Sequence, residues 1–183
     1  NPSISYFEHY DTGWSNNWGE NEIDNPLKDV SSQDAQLYPA LVDIDSDWDL
    51  DAFIGHSNGV ITFYENMGGI FVQQLGEANP FNGTQTTNRS TVPTFVDIDN
   101  DNDFDAFIGT KSGAIHYFEN TGTAKNLDFV ERIGTDNPLN LAMTDSGNAV
   151  PTFIDIDHDG DFDAFVGEAD PKINYYENRG TAR

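Results

Sequence analysis

The chain contains no cysteine, few basic residues and no long hydrophobic run. The absence of cysteine from its 183 residues excludes disulfides, thiol catalysis and zinc–thiolate sites, and it leaves the redox compartment open. Eight Lys and Arg residues stand against 32 Asp and Glu, which gives a formal net charge of −24. Because nucleic acid binds to a concentrated basic surface, we predict no nucleic-acid partner. No apolar stretch approaches the ~20 residues of a membrane span, so we also predict no membrane insertion.

Aromatic side chains, in contrast, are abundant, with 13 Phe, 7 Tyr and 3 Trp. Disordered acidic chains contain few such residues, because they cannot bury enough apolar surface to offset the entropy cost of ordering. A chain of 183 residues is also long enough to bury a sizeable core. The composition therefore predicts a folded protein in spite of the charge.

Nearly half of the acidic residues lie in three nonapeptides, 43–51, 97–105 and 155–163. Each carries an aspartate at every odd position and is followed at once by an apolar Ala-Phe-(Ile/Val)-Gly run. Two carboxylates about 4 Å apart near a protein surface repel each other by roughly 4 kcal/mol. Folding five aspartates into one turn therefore requires a cation, and the nonapeptides predict three metal-binding loops.

The nonapeptides belong to a longer repeat, because they recur after 54 and 58 residues. Each follows an apolar segment such as 92–96 and precedes a segment of the Ile-x-Tyr-Phe-Glu-Asn type, such as 115–120. The period-2 alternation of these segments predicts four short β-strands per repeat, separated by glycine-containing turns. Four antiparallel strands in a repeat of ~50 residues are typical of one blade of a β-propeller. We therefore predict an all-β fold of β-propeller type, with an aspartate loop between the first and second strands of each blade.

The repeat begins and ends in mid-unit. Residues 1–37 carry the third and fourth strands of a repeat, 38–91 and 92–149 are complete repeats, and 150–183 carry the first three strands. We predict one continuous repeat domain. Three blade equivalents are too few to close a ring comfortably, since propellers typically have four to eight blades. Two interpretations stay open: a piece of a longer array, or open ends that pair with another copy to form a ring or a filament.

The all-oxygen donor set of the loops indicates calcium. Ca²⁺ takes six to eight oxygen ligands in a flexible turn, whereas Mg²⁺ requires strict octahedral geometry. The alternation of side chains predicts that the carboxylates at loop positions 1, 3, 5 and 9 point inward, with a main-chain carbonyl from position 7. The loops are not EF-hands, because position 12, where an EF-hand has a bidentate acid, is occupied by Ile54, Ile108 and Val166.

Together with the Phe-Ile-Gly and Tyr-Phe-Glu-Asn-Thr-Gly type segments, the loops resemble the FG-GAP/VCBS repeat family over essentially the whole chain. The calcium motif of that family is Asp-x-Asp-x-Asp-Gly-x-x-Asp, and it also occurs in the propeller of integrin α subunits. The resemblance implies up to three Ca²⁺ ions. It implies main-chain oxygen ligands at Asp49, Asp103 and Asp161. It implies side-chain ligands at positions 1, 3, 5 and 9, namely Asp43, Asp45, Asp47, Asp51, Asp97, Asp99, Asp101, Asp105, Asp155, Asp157, Asp159 and Asp163.

The loops depart from the family motif at position 6, where the motif has glycine. The third loop keeps it as Gly160, while the second loop has Asn102 and the first has Trp48. Asparagine tolerates positive φ better than most non-glycine residues, and tryptophan is poor there. We therefore predict that metal occupancy decreases from the third loop to the second and then to the first.

No group of residues predicts catalysis. The histidines lie at scattered positions without a nucleophile in a recognisable spacing, so we predict no catalytic or cofactor-binding residue and no enzyme activity. These histidines are His9, His56, His116 and His158.

Two further pairs of residues are candidate sites for carbohydrate. Trp14 and Trp18 lie in a Gly/Asn-rich segment and are candidate sugar contacts. Asn82 and Asn88 begin Asn-x-Thr/Ser sequons and are candidate glycosylation sites.

These patterns lead us to expect a non-enzymatic, calcium-stabilised structural or adhesion module that is secreted or displayed at the cell surface. Its expected partners are other copies of itself or adjacent repeats of a longer chain. Two alternatives stay open. One is a carbohydrate-binding, lectin-like propeller module, and the other is a non-catalytic accessory domain of a polysaccharide-active enzyme.

Overall fold

The computed structural model describes residues 7–11, 16–20, 25–28, 30, 36–84, 90–140, 142 and 144–180, with side chains from residue 25 onward. Within these ranges the chain forms β-strands and two 3₁₀ turns, Gly76–Ala78 and Gly134–Asp136. The strands are β1 Phe7–Asp11, β2 Asn16–Glu20, β3 Leu37–Val42, β4 Asp51–His56, β5 Ile61–Asn66, β6 Phe71–Gln74, β7 Thr91–Val96, β8 Asp105–Thr110, β9 Ile115–Asn120, β10 Phe129–Arg132, β11 Val150–Ile154, β12 Asp163–Gly167 and β13 Ile173–Tyr176. In this part of the chain, no helix is long and apolar enough to cross a membrane.

All sheets are antiparallel and pair strands that are consecutive in the chain. Strands β3–β6 form the first sheet, β7–β10 the second and β11–β13 the third, while β1 and β2 form a hairpin. The predicted all-β architecture with antiparallel strands is thus confirmed. Closure into a propeller stays a prediction. Strands β3 and β7 begin one residue before the predicted repeat boundaries, and β11 begins at the predicted boundary.

The second strand of each sheet is its most buried element. All six residues of β4 and all six of β8 are buried. Their Ala-Phe-Ile-Gly runs are continuously apolar, which is typical of strands that are covered on both faces. The third strand β5 instead begins with alternating buried and half-buried residues. The central strands therefore lie in the middle of stacked layers.

Successive sheets are held together by two apolar clusters. The first interface cluster joins the first and second sheets and consists of Val42, Ile44, Phe53, Ile61, Phe63, Phe81, Ala106, Ile108 and Phe118, with Phe95, Phe104, Leu127 and Phe129 packed against them. The second interface cluster joins the second and third sheets and consists of Val96, Phe107, Ile115, Tyr117, Leu139, Ala142, Ala149, Ala164 and Val166, with Ile98, Phe153, Phe162 and Tyr176 packed against them.

Glycine at the end of the second strand allows the next sheet to approach closely. A Cβ atom on Gly109 would overlap the carbonyl oxygen of Ala149 and lie 2.8 Å from Cδ of Pro151. Gly55 has the same relation to Thr91 and Pro93 at the start of the second sheet. The repeated glycine and proline therefore set the distance between sheets, because any side chain at the glycine would push the following strand away.

Some residues singled out by the sequence lie outside this description. Trp14 and Asn88 are outside the described residues. Trp18 belongs to β2, but its side chain is outside the described part, so its role as a sugar contact stays a prediction.

Candidate metal centres

Each aspartate loop connects the first strand of its sheet to the second. The loops lie between β3 and β4, between β7 and β8, and between β11 and β12. The aspartate at position 9 is in each case the first residue of the second strand and pairs with the first strand, as Asp51 does with Val42. The three loops therefore occupy the same place in three similarly built sheets.

The carboxylates at positions 1, 3 and 5 come together in every loop. In each loop, one oxygen from each of these residues lies within 4.8 Å of the other two. The three groups are Asp43, Asp45 and Asp47; Asp97, Asp99 and Asp101; and Asp155, Asp157 and Asp159. Nine of the residues that the sequence singled out thus form three triplets of hard oxygen donors.

Backbone hydrogen bonds to the aspartates hold each loop in its shape. In the first loop, the carboxylate of Asp43 accepts the N–H of Asp47 at 3.0 Å and the N–H of Trp48 at 3.2 Å. The carboxylate of Asp47 then accepts the N–H of Asp49 at 3.0 Å. The second loop repeats all three bonds at 3.1, 3.0 and 3.1 Å. The alternating aspartates therefore shape the turn as well as supplying donors.

The loop backbone adopts positive φ at position 6, as the sequence predicts. The φ angles are 78° at Trp48, 74° at Asn102 and 97° at Gly160. Because tryptophan carries the largest side chain of the three at this left-handed conformation, the strain is expected to be greatest in the first loop. The Trp48 side chain is 96 % exposed, so packing does not compensate for it.

Position 4 also adopts positive φ, which the sequence reasoning missed. The angles are 59° at Ser46, 61° at Asn100 and 63° at His158. Asparagine and histidine adopt positive φ more often than most residues, so Asn100 and His158 could have indicated this conformation in two of the loops. His158 is exposed, as the sequence predicts for position 4.

The aspartate at position 9 lies apart from the triplet and joins the loop to the end of the third strand. Asp51 is 1 % exposed, and its two oxygens accept the N–H of Asn66 at 2.8 Å and the N–H of Ile44 at 3.3 Å. Asp105 accepts the N–H of Asn120 at 2.8 Å in the same way. The resemblance implies a ligand here, and the structure shows in addition a buried anchor that depends on a residue 15 positions away.

Burial raises the pKa of these anchoring carboxyls. The pKa of Asp51 rises to about 6, mainly because burial disfavours the charged form. Burial raises that of Asp105 to about 7, although the N–H of Asn120 and the hydroxyl of Tyr117, which donates at 3.3 Å, oppose the shift. Both groups therefore gain from a nearby positive charge.

The side chain of the aspartate at position 7 also makes contacts. Asp49 Oδ2 accepts the N–H of Gly68 at 3.1 Å, which links the first loop to the turn after β5. Asp103 is buried, and its pKa rises to about 6 through burial and through repulsion from Asp101 and Asp99. A main-chain oxygen at this position stays a prediction from the resemblance.

The donor set fits a cation on two grounds. First, burial and the neighbouring carboxylates raise the pKa of the position-3 residues Asp45, Asp99 and Asp157. Second, six buried side-chain atoms in the described part have no hydrogen-bond partner, and four of them are loop carboxylate oxygens. Those four are Asp45 Oδ1, Asp49 Oδ1, Asp103 Oδ1 and Asp155 Oδ1. Buried anionic oxygens without donors are unfavourable, and a cation held by the triplets would relieve this cost at Asp45 and Asp155, which are triplet residues.

Three of the remaining candidates lie outside the loops in the described part of the chain. His56 is buried, and its Nε2 lies 3.0 Å from the hydroxyl of Thr62. His116 Nδ1 lies 2.7 Å from Glu131 on the fourth strand of its sheet. Asn82 is exposed in the turn after Phe81, a position open to modification.

No protein-family model matches this chain, and no curated protein matches it.

Proposed function

We propose that the chain is a calcium-stabilised structural or adhesion module, built of β-propeller-type repeats that resemble the FG-GAP/VCBS family. The observation that carries this proposal is the threefold recurrence of one carboxylate triplet at the same place in successive sheets. A single cluster of acids is a common surface feature. Three recurring clusters, two of which contain a buried carboxylate oxygen without a donor (Asp45 and Asp155), are better explained by a shared ligand.

Calcium is the cation that suits these loops best. The donors are all oxygens, and the main-chain and side-chain groups of a nine-residue turn can supply the six to eight ligands that Ca²⁺ takes. Extracellular calcium modules bind at about 10⁻⁴–10⁻³ M. Loops with affinities in that range would be filled only outside the cell, so we propose a secreted or cell-surface location. In each sheet the ion would fasten the first strand to the second, so its role would be structural rather than catalytic.

The module would act through its exposed surfaces and through the unpaired edges of its outer strands. The chain is acidic, and neither a catalytic group nor a basic surface is apparent in its sequence. We propose that it associates with further repeat units, either copies of itself or adjacent repeats of a longer chain. Sedimentation of the purified protein in calcium and in chelator tests this association. A strict monomer in both conditions would count against it.

Calorimetry tests the metal proposal directly. Unfolding is followed with excess Ca²⁺, with the same concentration of Mg²⁺, and in chelator. A ligand present at 100 times its dissociation constant stabilises the folded state by about 2.7 kcal/mol per site, so Ca²⁺ should raise the Tm well above that in Mg²⁺ or chelator. Equal Tm values in all three solutions would contradict the proposal.

Position-3 variants assign the sites to individual loops. Asp157→Asn, Asp99→Asn and Asp45→Asn each remove one charged donor from one triplet. Titration calorimetry should show that Asp157→Asn removes the tightest site and Asp45→Asn the weakest. The matched control is Asp145→Asn, an exposed aspartate outside the loops, which should leave all sites unchanged.

Removal of the metal should make the stability of the protein decline between pH 5 and pH 7.5. The carboxyls of Asp51 and Asp105 have folded-state pKa values of about 6 and about 7, above the ordinary value of 3.8. Between these values the metal-free folded state therefore binds more protons than the unfolded state, so the contribution of the two carboxyls to stability is fully present below pH 3.8 and is lost as the pH rises through 6 to 7. In chelator, the Tm should thus fall between pH 5 and pH 7.5, and added Ca²⁺ should remove this decline, because a cation favours the charged carboxylates. A chelated protein that gains stability over this range would disagree with these pKa values.

A further inference from the structure

The turn between the third and fourth strands is longer in the second sheet than in the first. Residues 67–70 join β5 to β6, whereas residues 121–128 join β9 to β10. The longer turn closes on itself, because the N–H of Thr123 donates to the carbonyl of Asn126 at 3.1 Å and the N–H of Asn126 donates back at 2.9 Å. Lys125 lies between these two residues and is exposed. The turn therefore presents the Lys125 side chain from a hydrogen-bonded stretch of backbone.

This turn forms one wall of a cavity of about 340 Å³ between the first two sheets. Residues 124–127 line one side of the cavity, and Asp45 and Asp51 of the first aspartate loop line another. Lys125 is the only basic residue among the described residues that line it. The acidic lining residues are Asp45, Asp51, Glu65 and Glu77. The second sheet thus places one ammonium group on the same cavity as the first loop.

Asp45 is the residue at which the triplet and Lys125 interact. One of its carboxylate oxygens, Oδ1, is buried and has no hydrogen-bond partner in the described part of the chain. Burial, together with repulsion from Asp47 and Asp43, raises the pKa of Asp45, whereas the charge of Lys125 opposes this shift. An opposite charge has this effect only where solvent does not fully screen it. Lys125 therefore supplies positive charge to the first triplet.

A basic residue recurs at the same place in the next repeat. The sequence has Gly122-Thr-Ala-Lys125 in one repeat and Gly180-Thr-Ala-Arg183 in the other. Arg183 lies outside the described residues. The chain contains only eight Lys and Arg residues, so this recurrence favours a role for the charge itself over a chance surface position.

We propose that Lys125 is a tethered counter-cation that regulates the metal affinity of the first aspartate loop. Its ammonium group offsets the charge of Asp45 when the loop holds no metal, and it opposes the binding of a divalent cation to the triplet. The inference rests on the proposed function, because it names the residue that controls one of the metal sites. It also links the first site to the second sheet, since Leu127 of the same turn packs against the first interface cluster.

Removal of this charge should strengthen the first site. Lys125→Gln should tighten Ca²⁺ binding at the first loop by about threefold to tenfold, because the loop then no longer holds the ion against a nearby positive charge. Lys125→Glu reverses the charge and should tighten binding further. The position is exposed, so neither variant endangers folding.

NMR spectra of backbone amides measure the three loops separately in one sample. The N–H of position 6 donates to the carboxylate of position 1 in each loop, at 3.2 Å for Trp48, 3.0 Å for Asn102 and 3.3 Å for Gly160. These amide signals should therefore shift as Ca²⁺ fills each loop. In Lys125→Gln, the midpoint at Trp48 should move to lower Ca²⁺ concentration, while the midpoint at Gly160 should stay unchanged.

Two controls separate a local effect from a change in net charge. Lys111→Gln removes the same charge from an exposed lysine in the turn after β8, at the end of the sheet opposite the aspartate loop, and should leave all midpoints unchanged. High salt should reduce the effect of Lys125→Gln, because the screening length falls to about 3 Å at 1 M ionic strength. In chelator, Lys125→Gln should lower the Tm, since the triplet loses the charge that offsets it.

Two outcomes would overturn the proposal. One is an unchanged midpoint at Trp48 in both Lys125→Gln and Lys125→Glu, and the other is an equal change at Trp48 and Gly160. Amides that still respond to Ca²⁺ in either case would leave the metal proposal standing. If none of the three amides responds to Ca²⁺ in any variant, the metal proposal fails and this proposal fails with it.

Discussion

The first and second sheets meet through a filled interface, whereas the second and third sheets meet beside an open cavity. In the filled interface, the Phe81 ring contacts Phe53 edge-on at 5.8 Å and Phe118 at 5.6 Å, and Phe129 covers it. In the open one, Leu139 stands in the place of Phe81 and faces the cavity. The fourth strand is therefore as much a part of the interface between sheets as of its own sheet.

The second and third sheets differ in a second way. Gly109 at the end of β8 is covered by the backbone of the third sheet, whereas Gly167 at the end of β12 has its nearest atoms 3.9 Å from a Cβ position, in Val150. The same residue type at the same repeat position is therefore obligatory where the backbone of the next sheet covers it, as at Gly109, and open to substitution at Gly167. The packing around the glycine, rather than the residue type, therefore decides the cost of replacing it.

The largest expected effect comes from the aromatic centre of the filled interface. Phe81→Ala should destabilise the protein by about 3–5 kcal/mol, because it leaves a cavity among four other rings. Leu139→Ala should cost about 2 kcal/mol, near the lower end for a buried leucine, since its surroundings are already partly open. Denaturant unfolding of both variants measures the difference, and equal losses would mean that the two interfaces are equally packed.

Glycine substitution tests the difference in backbone spacing. Gly109→Ala should destabilise by about 1–3 kcal/mol or more, because its Cβ would overlap a backbone carbonyl oxygen that cannot rotate away. Gly167→Ala should be neutral, or stabilising by roughly 0.5 kcal/mol, since the methyl group fits and the unfolded chain loses freedom. Thermal unfolding gives both values. A comparable loss in Gly167→Ala would show that the third sheet is covered there.

The smallest effect distinguishes Asn120 from its repeat equivalent, Asn178. Asn120→Ala removes an oxygen that accepts two N–H groups and should cost about 1–2 kcal/mol. Asn178→Ala removes one accepted N–H at an exposed turn and should cost less than about 1 kcal/mol. Denaturant unfolding of both variants measures the difference, and equal losses would show that the turn after β13 is held as firmly as the turn after β9.

Local patterns predicted the loops well, because the contacts that form them are local. Bonds such as Asp47 N–H to Asp43 join residues four positions apart, and the carboxylates of a triplet span only five residues. The strands were predicted for a similar reason, since an apolar run such as β8 is bounded by an aspartate loop and a glycine turn. The positive φ at position 6 followed from the glycine of the family motif that the loops resemble, and not from the residue type at Trp48.

Other features could not be predicted from such patterns. The role of Asp51 as a buried anchor depends on Asn66 at the end of another strand, and a spacing rule within the loop gives no sign of it. The positive φ at Ser46 was missed because serine is not a typical residue for that conformation.

The sequence by itself determined the repeat, the all-β class and the three triplets of oxygen donors, because alternation and short spacings place these groups without reference to distant residues. Which aspartates are buried and which glycines are covered became clear only from the three-dimensional structure. These depend on how sheets stack, and stacking brings together side chains such as Phe81 and Phe129 that lie 48 residues apart in the chain.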